Sequence, residues 1–587
     1  MTLEQLDSPF AHLLGTNYIP TNSETRQILN LLSQPLSELS RLDTEIDRLQ
    51  AIIDDLYEQR DKVKKFVDAH RALLSPARRL PPEIVGEIFV RCLPTTHNPA
   101  KSTTEAPLLL GRICSVWRNI SLFTPRLWSS MHLVVPTHYD SAKINPIIQL
   151  RCEALKEWLG RSGTLPLSIS LTIPNNGYSA DISATPLFES LIQFSHRWNI
   201  IDLRVPYGLL EPLNVLTKDD VPCLEAIKID DIFNWDGGTL PQWHFSIFGT
   251  APRLHRVSFV HFQGDPHNLP LPWARLTELS IETDQNPSSL NSCEALATLK
   301  QCPNLQSCTL DIRPSIPRDF TATPELVKLL VLHTFRLRVY PENLDDLTAV
   351  FDHLFTPSLI GLAVTVFINY DFISSPAQHV PFRSLLTRSS CPLESLTLSQ
   401  NPISPEALIE CLHLVPALTT LFVTDCISMW PPPHNGVPET LPPILNNELL
   451  RVLTPTNPES SDCLVPHLKS VKLSQCTAIA DEVLIDFIQS RWQRPLADIE
   501  AGISCPTSIE VSRCLSSIEA SHLTTVEVGF SRVMDVDILP QVRALREEGL
   551  DINVTYLSLP FPYMEYSDSP WEGLPVSHFA PPFFVTE

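Results

Sequence analysis

From Leu36 onward the chain changes from a mixed polar stretch to a regular alternation of apolar and charged positions. Leu39, Leu42, Ile46, Leu49, Ile53, Leu56, Val63 and Val67 follow one another at steps of three and four, Arg60 takes one seam place, and charges fill most of the rest. That spacing lays the apolar side chains along one stripe, so residues 36–74 are expected to form one amphipathic helix of about four heptads. Ser75-Pro76 stops it, because the residue before a proline is pushed out of the helical region. Two readings remain open: a coiled coil that makes a homodimer through 36–74, or a helix packed on its own neighbouring domain. Residues 1–35 mix Pro, Asn, Ser and Thr with few apolar clusters and read as a flexible leader.

Two compact apolar blocks come next, LSPARRLPPEIVGEIFVRCLP at 74–94 and LLLGRICSVWRNISLFTPRLW at 108–128, separated by the polar stretch THNPAKSTTEAP at 96–107. Pro81-Pro82 opens a helix whose Ile84, Ile88 and Phe89 are expected on one face. Ile113, Val116, Trp117 and Ile120 repeat that logic in the second block. Two or three short apolar helices in about 55 residues bury themselves poorly, so part of this surface expects a partner.

The order LPPEI-x-x-EIF, a variable loop, C-x-x-W and a following L-W resembles the F-box, in particular the F-box-like proteins abundant in mushroom-forming (basidiomycete) fungi. This sequence supplies Leu80, Pro81, Pro82, Glu83, Ile84, Glu87, Ile88 and Phe89, then Cys114 and Trp117, then Leu127 and Trp128. The match covers about 50 of the 587 residues. The loop between its halves is longer and more polar than in the common F-box. The resemblance implies that residues 75–130 are a small all-helical F-box that docks on the Skp-type adaptor of a cullin-RING ubiquitin ligase. The adaptor-binding residues it implies are Leu80, Pro81, Pro82, Glu83, Ile84, Ile88, Phe89, Cys114, Trp117, Leu127 and Trp128. The stretch EALKEWLGRSGTLPLSISL at 153–171 is similar to the segment after the F-box in the same fungal proteins.

Beyond residue 128 an L-x-x-L-x-L-like core recurs, usually introduced by Pro: PCLEAIKI at 222–229, PRLHRVSF at 252–259, ARLTELSI at 274–281, PNLQSCTL at 303–310, PSLIGLAV at 357–364, PLESLTL at 392–398, PALTTLFV at 416–423 and PHLKSVKL at 466–473. Weaker copies are WNIIDLRV at 198–205, LHTFRLRV at 332–339 and HLTTVEV at 522–528, while WSSMHL at 128–133 and LSISL at 167–171 also read as strands. From Leu224 through Leu254, Leu276, Leu305, Leu332, Leu359 and Leu393 to Leu418 the core leucines step by 30, 22, 29, 27, 27, 34 and 25 residues. Steps of that size fit leucine-rich repeats, so residues 131–555 are expected to be an α/β solenoid of roughly ten repeats. The Pro-dense stretch at 430–443 interrupts the ladder. The tail 556–587 carries eight aromatics and is expected to fold back on the solenoid, as a cap or as an occluding segment.

Composition narrows the chemistry. With 43 Lys plus Arg against 66 Asp plus Glu the formal charge is -23, which argues against nucleic acid and anionic membrane surfaces as partners. The 17 glycines include no GxG and no GxxxxGK, so a phosphate-cradling loop is not expected. No two of the 14 cysteines have the two-residue separation of a zinc hook, and neither GxSxG nor HExxH occurs. Cys391, Cys411 and His413 are close enough to suggest a nucleophile or a metal pair, but core filling is the plainer reading. No catalytic residue, metal or cofactor is therefore expected, and an enzyme hidden in the solenoid is remote. The apolar run LIGLAVTVFI at 359–368 is half a membrane span, and no basic residue precedes Arg26, so a signal segment is not expected. The chain reads as a protein of a reducing compartment, cytoplasmic and/or nuclear.

Alternate strand residues should face outward on the concave side. Lys228, Arg256, Glu282, Asp311, Arg336, Arg338, Phe422 and Lys472 are accordingly the candidate substrate-binding residues for an unidentified protein. The expectation is an α/β chain with an N-terminal helix, a small helical F-box and a leucine-rich-repeat solenoid. It would serve as the substrate-recognition subunit of an SCF-type cullin-RING E3 ligase; the alternative is a leucine-rich-repeat scaffold or interaction protein outside any ligase.

Overall fold

The computed structural model describes residues 8–74, 76–135, 141–173, 181–231, 246–262, 266, 269–283, 290–313, 325–339, 345–367, 380–400, 403–425, 443–455, 464–492 and 522–556. These fall into two units, Met1–Glu87 and Ile88–Glu587. The Pro-dense stretch up to Pro442 and the tail beyond Tyr556 lie outside the described residues.

The first unit is dominated by helix α1 (Asn22–Leu73). It begins fourteen residues before the expected start at 36, and the reason is a capping box. Thr21 N–H donates to Glu24 Oε2 at 2.8 Å while Glu24 N–H approaches Thr21 Oγ1 at 3.5 Å, so the first turn closes on its own side chains. Pro35, the apparent barrier, sits inside the helix. It removes one backbone hydrogen bond, and the helix continues on either side of it. Helix α2 (Pro82–Arg91) begins in the first unit and ends in the second. Pro82 takes its first position, where a missing N–H leaves nothing unpaired.

In the second unit, helices α3 (Leu110–Ile113) and α4 (Ser115–Leu122) precede a 14-stranded, all-parallel sheet. Its strands are β1 (Ser130–Val134), β2 (Leu167–Thr172), β3 (Trp198–Val205), β4 (Ala226–Asp231), β5 (Arg256–Val260), β6 (Glu278–Ile281), β7 (Ser307–Ile312), β9 (Thr334–Val339), β11 (Gly361–Val366), β12 (Ser395–Ser399), β13 (Thr420–Thr424), β14 (Ser470–Cys476), β15 (Thr525–Phe530) and β16 (Asp551–Thr555). Within this sheet the strands lie side by side in chain order, as a repeat array requires. Two short strands, β8 (Val327–Lys328) and β10 (Leu354–Phe355), pair separately. The apolar run at 359–368 holds the buried strand β11, and no described helix is long and apolar enough to cross a membrane.

The register explains why the leucine pattern folds this way. One column runs Met131, Ile169, Ile201, Ile227, Val257, Leu279 and Cys308, and continues through Phe335, Leu362, Leu396, Leu421, Val471 and Val526 to Ile552. Every member is buried. Burying each aliphatic side chain contributes roughly 1.5–3 kcal/mol, and because the column is shared between neighbours no repeat has a core of its own. The leucine that opens each core, from Leu224 to Leu523, is also buried, at the turn before its strand. Fourteen strands replace the ten or so repeats expected. The surplus lies at the ends: β1 and β2 precede the evenly spaced leucines, with Leu127 four residues before Met131 and Leu167 two before Ile169, and in β16 (DINVT) only Ile552 is buried.

Helices α5 (Ser141–Arg161), α6 (Asp181–Ile192) and α7 (Ser246–Thr250) fall among the first five strands. Farther along, α8 (Ser292–Lys300), α9 (Asp345–Asp352), α10 (Arg383–Ser389), α11 (Pro405–His413), α12 (Asn447–Leu453) and α13 (Asp481–Arg491) pack neighbour on neighbour beside the strands, α9 against both α8 and α10. Local chemistry sets their ends. Asn291, Ser404 and Asn446 each accept a backbone N–H from the first turn of α8, α11 and α12, and Ser390 closes α10 at φ 45°.

Buried arginines tie successive helices together. Arg491 donates to the carbonyls of Leu453, Val465 and Leu464 at 2.7, 3.1 and 2.7 Å, and Arg197 does the same for Leu165 and Leu159. Replacing Arg491 by Met is expected to destabilise the protein by about 2–3 kcal/mol, because it keeps the volume but leaves three carbonyls unpaired. Chemical denaturation checks this; a midpoint unchanged from wild type would show that the carbonyls find other donors.

Candidate functional site

The helical segment after α1 sorts its apolar residues onto two sides. On α2, Val85 and Phe89 are buried, whereas Ile84 and Ile88, one turn apart, are exposed by 49% and 47%. Ile84 and Ile88 thus share a face as expected, but Phe89 does not join them: it turns inward with Val85. Leu80, Pro81, Pro82 and Glu83 are exposed as well.

The second block divides in the same way. Cys114 caps α4, its sulfur accepting Trp117 N–H at 3.4 Å. Trp117 is half-buried, with its ring 4.9 Å from Phe89 and edge-on to it. Ile120 and Ser121 follow it inward at the next turn, while Ile113 and Val116 point out at 56% and 62% exposure. Leu109 and Phe123, which the sequence reading did not single out, are exposed too, Phe123 by 85%. The available signal was their position out of phase with the tryptophans.

Leu127 and Trp128, expected at the adaptor face, are buried and serve the joint with the sheet. Trp128 Nε1 donates to the Ser121 carbonyl at 2.8 Å, its ring meets Trp158 edge-on at 4.8 Å, and Arg161 lies 4.4 Å above it. Phe89 is likewise internal. Phe89 packs on α4 through Trp117 and Trp128 ties α4 to α5, so these three buried side chains are not available to a partner.

The polar stretch at 96–107 has a structural task. Pro99 accepts the His132 N–H at 2.8 Å and Ala100 bridges His132, so the stretch continues the sheet beyond β1. Asn98 joins Ser168 at 2.9 Å and Ser170 at 3.2 Å, and Ser170 meets His132 Nδ1 at 2.8 Å. An otherwise bare sheet edge is covered.

On the exposed sheet face most candidate charges are engaged with one another. Lys228 faces Asp202 at 3.8 Å, and Lys472 pairs with Glu527 at 2.8 Å while lying 5.3 Å above the Phe422 ring. Arg338 pairs with Glu282 and, at 3.3 Å, with Asp311. Asp311 is not on the surface as expected. It is 1% exposed, and its Oδ2 accepts the Thr283 N–H at 2.7 Å, which makes it a strut between neighbouring strands. Arg256 is half-buried, and Arg336 is exposed with no ion pair among the described residues. A partner on this face would have to displace pairs already formed, whereas the aliphatic residues of the helical segment have nothing to give up but water.

Four of the cysteines are poor nucleophiles. Burial pushes the thiols of Cys302, Cys411 and Cys476 up to about 12 and raises Cys391, so each stays a protonated, compact apolar group. His413 is at the exposed end of α11.

Neither a protein family nor a curated protein matches the chain. Among solved structures, one described as the crystal structure of the Rad7 and Elc1 complex in yeast is similar at 15% identity, covering 59% of this chain and 86% of that one, with a TM-score of 0.32. That likeness is too distant to bear on what this chain does.

Proposed function

We propose that the chain is the substrate-recognition subunit of a cullin-RING ubiquitin ligase of the SCF type, in which the F-box-like segment at 75–130 holds a Skp-type adaptor and the leucine-rich-repeat-like array holds the protein to be ubiquitinated. The observation that carries this reading is the sorting of that segment. Phe89 and Trp128 are consumed by packing, yet Leu80, Ile84, Ile88, Leu109, Ile113, Val116 and Phe123 remain exposed within 44 residues. Large apolar groups in that density suit a protein partner rather than water. The resemblance of the same residues to the F-box names the partner's class.

The contribution to reaction would be proximity. Holding a target lysine beside a charged conjugating enzyme raises its effective concentration, with no covalent step asked of this chain. The setting would be cytoplasmic and/or nuclear.

Calorimetry of the full chain against a purified Skp-type adaptor tests the reading. Saturable one-to-one binding with a Kd at or below about 1 μM is expected, a free energy near -8 kcal/mol. No heat and no co-elution from a folded chain would instead favour a scaffold outside the ligase.

A further inference from the structure

Helix α1 carries an uncovered apolar stripe and, along the same length, a separation of charge. Leu39, Leu42, Ile46, Leu49, Ile53 and Leu56 are each between 43% and 61% exposed, and Val63 and Val67 extend the stripe. Over 52 residues the helix is about 78 Å long. From residue 36 to 58 there are seven acidic and two basic residues, a net charge of -5; from 59 to 73 there are five basic and two acidic, a net charge of +3. Arg41, Arg48 and Lys62 are satisfied within the helix by Glu38, Glu45 and Glu58. Asp43 and Asp47 on the acidic side, and Lys64, Lys65 and Arg71 on the basic side, make no ion pair among the described residues.

We propose that α1 pairs antiparallel with α1 of a second copy of this chain, acidic half against basic half. Two identical helices laid parallel would set the acidic halves together and the basic halves together. Turned end for end, each half meets its opposite. The sign changes next to residue 58, and an overlap centred there keeps the apolar seam in register. Ile53 then packs in the layer of Val63 of the second copy and Leu49 in that of Val67, with Asp43 beside Arg71 at the flank. Arg60, the polar seam residue next to the centre, falls near the middle, where a polar group disfavours shifted registers. The occupant is a second copy because the two blocks complement each other within one sequence, so no other chain is needed to supply either sign. This pairing uses none of the residues assigned to adaptor binding and stands or falls apart from that role.

Sedimentation equilibrium on the full-length chain tests both the pairing and its direction. Wild type is expected to be a dimer, and Leu49→Glu with Leu56→Glu a folded monomer with unchanged circular dichroism outside the loss in helix signal. Asp43→Arg places two cations at each flank of the antiparallel pair and should weaken the dimer roughly tenfold, and adding Arg71→Asp should restore it to within about threefold. In a parallel pair the same Asp43→Arg would sit opposite Glu38 of the second copy and tighten the dimer. A monomeric wild type, an Asp43→Arg dimer as tight as or tighter than wild type, or a failure of Arg71→Asp to rescue each overturns the proposal.

Discussion

Replacing Asp481 by Ala is expected to cost about 3–5 kcal/mol, confined to the last repeats of the array. Asp481 opens α13 and is 1% exposed. Its carboxylate accepts Arg532 Nη2 at 2.7 Å, the backbone N–H groups of Asp535 and Val536 at 2.9 Å each, and the Tyr556 hydroxyl at 2.9 Å. One side chain thus fastens α13 to the segment after β15 and to Tyr556, the residue that follows β16. Around it, Arg532 lies 4.4 Å over Phe530, and Tyr556 stacks on Phe530 at 4.8 Å. Truncation leaves a guanidinium with 16% of its side chain exposed and three hydrogen-bond donors without their acceptor. Because stability in a repeat array passes between neighbours, hydrogen exchange should accelerate over 525–555 and stay unchanged over β1 to β7. Uniform acceleration along the whole sheet would show that the array melts as one unit.

The same carboxylate sets an acid limit on that end. Burial pushes the pKa of Asp481 up, but hydrogen bonds from Arg532, Val536, Asp535 and Tyr556 outweigh it and hold the group below its ordinary value. A folded-state pKa below the unfolded one means the stabilisation is complete above the unfolded value, near 4 by the usual reference of about 3.9. It fades as pH falls from there through the folded value. The Asp481→Ala protein should therefore lose this part of the acid dependence, with the gap between wild-type and variant midpoints narrowing as the pH is lowered below about 4.

The repeats were legible because each core strand is announced by the same local events: a proline or turn, a leucine that plugs the turn, then alternation. Leu224, Leu305 and Leu418 show this plainly, and their strands β4, β7 and β13 lie where the pattern puts them. The strand at Asp551–Thr555 was not legible, since DINVT offers two apolar side chains and gains its order from pairing with β15. The early start of α1 was written in Thr21-x-x-Glu24 but masked by Pro35, a residue that weighs heavily in any local reading and less in a helix of this length.

The helices of residues 82–122 were legible in the apolar blocks, but not which side of each turns inward. Ile88 and Phe89 are adjacent and both apolar; which of them turns inward is decided by where Trp117 and the first strand sit, and no local spacing contains that. On the sheet face, likewise, spacing tells which residues point away from the core. It does not tell that Arg338 is matched by Glu282 and Asp311 two and one strands away. The same gap between pattern and placement turned Asp311 from a candidate contact into an internal strut.

Substituting Ile113→Asp together with Val116→Asp should abolish the proposed adaptor binding while leaving the fold intact. Both side chains are more than half exposed, one at the end of α3 and one at the start of α4, so their replacement removes little internal packing. In an interface built on aliphatic contact, two carboxylates would each have to be desolvated against apolar atoms, and the loss of two buried contacts alone is of hot-spot size. A weakening of at least about a hundredfold, roughly 2.7 kcal/mol, is the expected result, with the melting temperature within about 1 °C of wild type. Trp117→Ala is the less discriminating choice, because Trp117 also packs on Phe89 and its removal is expected to destabilise the helices by about 3 kcal/mol in its own right. The pair of variants separates the two roles: binding lost with stability kept identifies the outward aliphatic face as the adaptor site. Wild-type affinity in Ile113→Asp with Val116→Asp would remove that face from the proposed site.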